Sequence, residues 1–381
     1  MLRVARAGVL FALLRLPGFA WIWICSHLMG SGSYAMFAVA SAASTLLVSL
    51  LDGASVPAAV VASEPQLAGQ RFWRRAMFGM LSIATLLLAA LHLSPVLALA
   101  AGVAAGELLM NELRLRWRRQ GQPDREQGLE VLRQVVSVAL PLASLQFGLQ
   151  STQAMLTYVG GYAVALFFGP FRDPAPHKSE RLPKRLQLST ATLLGAVYSQ
   201  GDVLILGLIV TDQQLISDYA IGSLVALYAS AGAQFATQVW AARLRAHAWR
   251  TPNAVAALAA CSPGLALVGV VLTNELGITN LNFAMIAAPC AAAFFRSRSW
   301  WLSHRLLVRG FHYKRTAAAL LAAAAKLVCI SVLAAMFADT AILFTLPIGE
   351  VVLFLALALN CSGEKQLGGV DRRSGSREPW G

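Results

Sequence analysis

The chain has 381 residues, 57% of them hydrophobic and 13% charged, with a mean hydropathy of +0.62. Soluble domains carry about 25% charged residues, so a water-soluble globular fold is excluded and the composition is that of an all-α polytopic membrane protein. The net charge of +13 would suggest nucleic acid in a soluble protein, but where the charges fall decides otherwise.

At about 20 apolar residues per transmembrane helix, twelve spans are expected: 7–26, 34–62, 75–92, 94–112, 132–149, 152–170, 189–210, 216–239, 254–272, 277–295, 316–337 and 341–360. The opening MLRVARAGVLFALL has the look of a signal peptide. Its apolar run continues to about Cys25 and further spans follow, so it reads as a retained first helix. Pro141, Gln146, Gln150 and Gln153 interrupt the fifth and sixth spans. Between spans six and seven lies FRDPAPHKSERLPKR, rich in proline and charge. The expected organisation is therefore a six-helix lobe (1–170), a cytoplasmic linker (171–187), a second six-helix lobe (188–360) and a polar, glycine-rich, disordered cytoplasmic tail (361–381). Ser33-Tyr34-Ala35-Met36 faintly matches Asp218-Tyr219-Ala220-Ile221, which hints at two halves of one design. Parallel repeats of this kind place a substrate path at the interface between the halves.

Basic residues fall in alternate connections. One set holds Arg71, Arg74 and Arg75, then the arginines of 114–125, the linker, 243–250, 296–315 and the tail. The other set (27–33, 92–95, 150–153, 211–218, 273–280 and 338–340) holds no Lys or Arg. The positive-inside rule puts the basic set and both termini in the cytoplasm, with the chain multi-pass in the cell membrane. These cations then face anionic lipid, and nucleic acid is dropped as a partner.

Chemistry-bearing motifs are few. Cys25, Cys261, Cys290, Cys329 and Cys361 show no CxxC spacing and read as packing residues. The histidines show no metal-ligand spacing, there is no Walker motif, and Gly30-Ser31-Gly32 follows no strand, so no metal, cofactor or enzymatic activity is expected. Trp73, Trp300 and Trp301 fit interfacial belts. Ionisable groups inside spans are the informative ones: Arg15, Asp52, Glu107, Asp202, Lys326 and Glu350. Lys326 and Glu350 lie at similar depth on either side of Asp339 in a tight hairpin, which predicts an ion pair between them. Asp202, beside Gln200, has no base on its own hairpin and is expected either to face a cavity or to pair with Arg15 or serine hydroxyls in the other half. Its replacement by Asn is expected to stop transport and leave the fold intact. Arg15 either contacts substrate or snorkels to the surface, and Asp52-Gly53 could equally be an interfacial bend. Glu107 and Asn111 share a helical face near the cytoplasmic end, where solvation suffices. Gln234 and Gln238 share one face, as do Gln146 and Gln150, positions that suit inter-helix hydrogen bonds more often than a ligand. Amides and carboxylates with few fixed cations suit a sugar or polyol.

Gln200-x-Asp202, then Leu206-Gly207, a polar turn and Tyr219-Ala220 resemble the seventh and eighth helices of polysaccharide-type flippases. These belong to the multidrug/oligosaccharidyl-lipid/polysaccharide exporter superfamily. SHLMGSGSYAMFAVA from Ser26, followed by Leu51-Asp52-Gly53, resembles their first two helices. The resemblance implies two six-helix lobes around a central cavity that move lipid-linked oligosaccharides by alternating access. Membrane lipid, a lipid-linked glycan and glycan-assembly enzymes would be the partners. It also places Arg15, Asp52, Gln200 and Asp202 on cavity-lining helices. With the amide and charge readings above, the candidate substrate or coupling-ion residues are Arg15, Asp52, Gln200, Asp202, Gln234, Gln238, Lys326 and Glu350. The rival readings are a cation-coupled antiporter of the same superfamily, with Asp202 binding the ion, and a membrane glycosyltransferase or polymer ligase, which would need a longer outer loop.

Overall fold

The computed structural model describes residues 13, 15–30, 32–52, 64–119, 122–168, 185–244, 253–308, 311–336 and 340–367. The start of the first expected span, residues 53–62 of the second, most of the linker and the last residues of the tail lie outside them. Among the described residues every regular element is helical. In chain order they are α1 (Arg15–His27), α2 (Ser33–Asp52), α3 (Glu64–Ala90), α4 (Pro95–Arg119), α5 (Pro123–Gln146) and α6 (Ser151–Leu156). The second half contains α7 (Arg185–Ile209), α8 (Gln213–Leu244), α9 (Asn253–Glu275), α10 (Phe283–Val308), α11 (His312–Met336) and α12 (Thr345–Leu367). Nine of these helices are long and apolar enough to cross a membrane.

Where the boundaries differ from expectation, the differences run mostly one way. α3 begins earlier, α4 runs on to Arg119, α5 starts at Pro123, α8 reaches Leu244, α10 reaches Val308 and α12 reaches Leu367. These extensions lie at the basic ends. Arginine is a good helix former, and in these extensions the helical ladder satisfies the backbone while Arg74, Arg114 and Arg296 find carboxylate partners. Much of the expected basic loops is therefore helix terminus, with only residues 120–122 between α4 and α5 and 309–311 between α10 and α11. Pro141 does not break α5. Gln146 closes α5 whereas Gln150 caps α6, so the two amides do not share a helix face as expected.

The sixth span is not a regular α-helix. After Leu156 the chain winds as a tighter 3-10 helix over Thr157–Phe168. At about 2.0 Å rise per residue that segment covers about 24 Å, so with α6 it still matches the bilayer. Its narrowness serves a close approach: a Cβ on Gly161 would stand 2.0 Å from Ser137 Oγ and 2.6 Å from the Ser137 backbone nitrogen on α5. Gly161→Ala is expected to destabilise the protein by about 1–3 kcal/mol through overpacking, read as a lower melting midpoint in detergent. Gly128, which has open space around it, should tolerate the same change far better.

Helix pairings repeat with an offset of six elements. α2 packs on α4, α3 on α4, and α4 and α5 on the 3-10 segment; α8 packs on α10, α9 on α10, and α10 and α11 on α12. The two halves thus form a parallel repeat. They meet chiefly where α2 lies along α7, with α2 also touching α8. Gly207 permits that approach, since a Cβ there would stand 2.6 Å from Val39 Cγ2. One hydrophobic cluster runs through both halves.

Candidate functional site

A cavity of about 190 Å³ lies at the seam, between α1 and α2 on one side and α7 and α8 on the other. Trp21, Phe37 and Tyr158 form one wall, with ring centroids 4.9–5.2 Å apart. Facing them, Tyr228 meets Phe19 edge-on at 5.3 Å. Ser41, Gln134, Gln200 and Ser223 supply polar groups, and among the described residues no Asp, Glu, Lys or Arg lines the space. Trp21 Nε1 and Gln134 Oε1 are buried without a hydrogen-bond partner.

A second cavity of about 230 Å³ adjoins the first and shares Phe37, Ser41 and Tyr158 with it. It reaches into the N-terminal half between α2, α4, α5 and the 3-10 segment. One stripe of α2 lines both spaces: Tyr34, Phe37, Ala38 and Ser41, then Ser44, Thr45, Val48 and Ser49. Steps of three and four keep these residues on a single helical face. Helical spacing of hydroxyl residues is the sequence signal for this wall.

The far wall of the second cavity carries Glu107, Arg133 and Tyr162, part of a connected charge network. Arg74 Nε donates to Asp52 Oδ1 at 2.6 Å, and Asn111 donates to Asp52 Oδ2 at 3.1 Å. Arg114 reaches Glu107 at 2.7 Å, Asn111 Oδ1 at 2.9 Å and Glu130 at 2.6 Å. Glu130 Oε1 also accepts from Arg133 at 2.5 Å, and the Tyr162 hydroxyl donates to Glu107 at 2.8 Å. Five elements, α2 to α5 and the 3-10 segment, are tied together. Glu107 and Asn111 are thus internal partners, not merely solvated groups at an interface. Asp52 is a tie between α2, α3 and α4 and lines neither cavity.

In the C-terminal half a separate cluster surrounds Asp202, which is fully buried. Lys326 Nζ lies 2.5 Å from Asp202 Oδ2, the Tyr219 hydroxyl donates to the same oxygen at 2.5 Å, and the Val203 N–H donates to Oδ1 at 2.9 Å. Thr345 Oγ1 donates to the Tyr219 oxygen at 3.1 Å. Lys326 also stands 5.5 Å from the Tyr198 ring centroid. Glu350 binds Arg296 of α10 through Oε1, at 2.7 Å from Nε and 2.6 Å from Nη2.

The expected Lys326–Glu350 pair is therefore corrected: each residue has another partner. Depth was a sound argument, but azimuth decides. Gly349 lies against the Lys326 stem, where a Cβ would be 2.9 Å from Cδ. The next residue, Glu350, is turned by about 100° and faces α10. Asp202 does not line a described cavity, whereas its neighbour Gln200 does. Gln234 is half-buried and lines neither space. The side chains of Arg15 and Gln238 lie outside the described residues. Trp301, expected at an interface, is buried with Ala236 and Val255. Arg114, Arg133, Glu130 and Arg296 were not singled out from the sequence, because they had been assigned to loops or span ends.

No family model matches the chain, and no curated protein matches it by sequence. Solved structures match over nearly its whole length. One is the lipid II flippase MurJ in an inward closed conformation, with TM-score 0.61 and 9% identity, covering 95% of this chain and 88% of that one. A second is a MATE protein in complex with Br-NRF, with TM-score 0.57 and 14% identity, covering 97% and 96%. A third is a multidrug resistance MATE family transporter of the MOP superfamily, outward-facing, with TM-score 0.53 and 12% identity, covering 98% and 97%. At these identities the likeness concerns the fold, which this chain shares with them.

Proposed function

We propose that the chain is a membrane transporter that flips a lipid-linked saccharide across the cytoplasmic membrane by alternating access of its two halves, without covalent chemistry. The carrying observation is the seam cavity, walled by aromatic rings and lined by hydroxyls and amides with no described charged side chain. Such a surface matches hydroxyl groups that both donate and accept, set against apolar ring faces. A fold shared with a lipid II flippase supports the reading. In this proposal lobes 1–170 and 188–360 rock about α2 and α7, joined by 171–187 on the cytoplasmic side. The lipid passes between α1 and α8, because α2 and α7 are packed along each other. Membrane lipid, the lipid-linked glycan and glycan-assembly enzymes are the partners.

The cation-coupled antiporter reading draws on the same fold, shared with a multidrug transporter. Asp202 is a weak ion site for it, since Lys326 already neutralises that carboxylate away from either cavity. The test is reconstitution of the full chain in vesicles with a fluorescently labelled polyprenyl-diphosphate saccharide, flipping being read by bleaching from outside. Wild type is expected to flip it, and Ser223→Trp, which fills the seam cavity, to slow it by about tenfold or more. Absence of flipping together with proton- or sodium-driven efflux of an organic cation would replace this reading with the antiporter.

A further inference from the structure

The second cavity is more than an annex of the first, because its polar groups are arranged for a ligand of one charge type. Arg133 is 4% exposed. Its Nε and Nη2 bind Glu130 at 3.0 and 2.5 Å and its guanidinium lies 4.6 Å from the Tyr162 ring centroid, beside Tyr158, while its Nη1 is buried with no hydrogen bond of good geometry. A buried guanidinium N–H left unmet costs about 1–3 kcal/mol, and here it belongs to a side chain that lines an open space. On the opposite wall, Ser44 Oγ and Thr45 Oγ1 both donate to the Ser41 carbonyl, at 2.7 and 2.9 Å. Their protons are committed to the helix, so these oxygens offer lone pairs to the cavity.

The charges set the type. Glu107 and Arg133 are both in the lining, each already matched, Glu107 by Arg114 and Arg133 by Glu130. An anion entering this space would meet the Glu107 carboxylate, and a cation would meet the Arg133 guanidinium. A neutral ring bearing several hydroxyls meets neither objection: it accepts from Arg133 Nη1 and donates to the serine and threonine oxygens. Phe37 and Tyr158 also line the cavity and offer flat apolar surface for its C–H face. The volume of about 230 Å³ equals about eight waters at about 30 Å³ each, the scale of one hexose.

We propose that this cavity binds a single uncharged glycosyl ring, with Arg133 Nη1 as the reading donor. It is then the specificity subsite for the head group whose remainder occupies the seam. The inference rests on the saccharide-carrier reading and adds to it where the sugar is read and that the sugar read is neutral.

The experiment is equilibrium dialysis of the purified full chain with radiolabelled methyl glucoside, methyl galactoside and the methyl glycoside of N-acetylglucosamine, against glucuronate and glucosamine. At least one neutral glycoside should saturate a single site near about 1 mM, with both charged sugars about tenfold weaker or worse. Ser49→Leu, which fills the cavity, and Arg133→Gln, which leaves Glu130 its Arg114 partner, should each weaken that binding by about tenfold or more. Charged sugars binding as tightly as neutral ones would overturn the proposal. So would unchanged binding in monodisperse Ser49→Leu and Arg133→Gln, or no saturation by any neutral glycoside below about 100 mM. Any of these results beside intact flipping of the lipid-linked saccharide removes the subsite and leaves the transporter. Loss of flipping beside intact sugar binding does the reverse.

Discussion

Asp202→Asn is expected to destabilise the protein by about 3–5 kcal/mol, because it leaves the Lys326 ammonium buried without its counter-charge. Asp202 and Lys326 are 0% and 2% exposed, and their closest atoms are 2.5 Å apart. Asn at this position still offers an oxygen to the Tyr219 hydroxyl, so the loss isolates the uncompensated cation. Lys326→Met alone should be similarly costly, since it strands the carboxylate. Replacing both, Asp202→Asn with Lys326→Met, removes both charges, keeps the acceptor for Tyr219 and should recover most of the stability, as apolar replacement of buried pairs often does. Thermal unfolding of the full chain in detergent, run as a double-mutant cycle, reads this directly. A single variant as stable as wild type, or a double variant no better than the singles, would refute the structural role of the pair. The sequence alone had suggested a folded but inactive Asp202→Asn protein. Burial within the C-terminal half replaces that with an unstable one, and flipping should survive in the double variant.

The sequence carried the architecture because the forces that set it are one-dimensional. A bilayer demands apolar runs of fixed length, and the positive-inside rule sorts connections by their cations, so Arg114 and Arg296 read alike in the sequence. Those arginines did not reveal that they sit on helices and point inward. A basic residue near a span end reads alike whether it is solvated or bound to Glu107, and its partner depends on helix azimuth and on which helices are neighbours. The same limit explains Lys326. Its depth could be counted from the hairpin, but its direction depends on Gly349 packing against its stem and on α11 lying beside α7. The cavity wall was legible in principle, as hydroxyl and aromatic residues of α2 recur at steps of three and four from Tyr34 to Ser49. What masks it is that serines in a transmembrane helix are more often packing residues than lining.

Arg114 is the joint of the N-terminal half, and its loss should be the most damaging single change there. One guanidinium serves three acceptors on three sides: Glu107, Asn111 and Glu130. Through Asn111 it supports Asp52 and hence the α3 arginine, Arg74. Through Glu107 it shapes the wall of the second cavity. Arg114→Met leaves Glu107 with only the Tyr162 hydroxyl and Glu130 with only Arg133, which for half-buried charge-assisted hydrogen bonds costs about 1.5–3 kcal/mol. Arg114→Lys keeps the charge, but a single ammonium lacks the planar fork that spans these acceptors, so its stability should fall between wild type and Met. Adding Glu107→Gln to Arg114→Met removes one stranded carboxylate and should return part of the loss, which Glu107→Gln in the wild-type background should not improve upon. Melting midpoints in the order wild type, Lys, Met with Glu107→Gln, then Met alone would establish Arg114 as the tie. Equal midpoints for Lys and Met would show that charge and geometry at this position do not hold the half together.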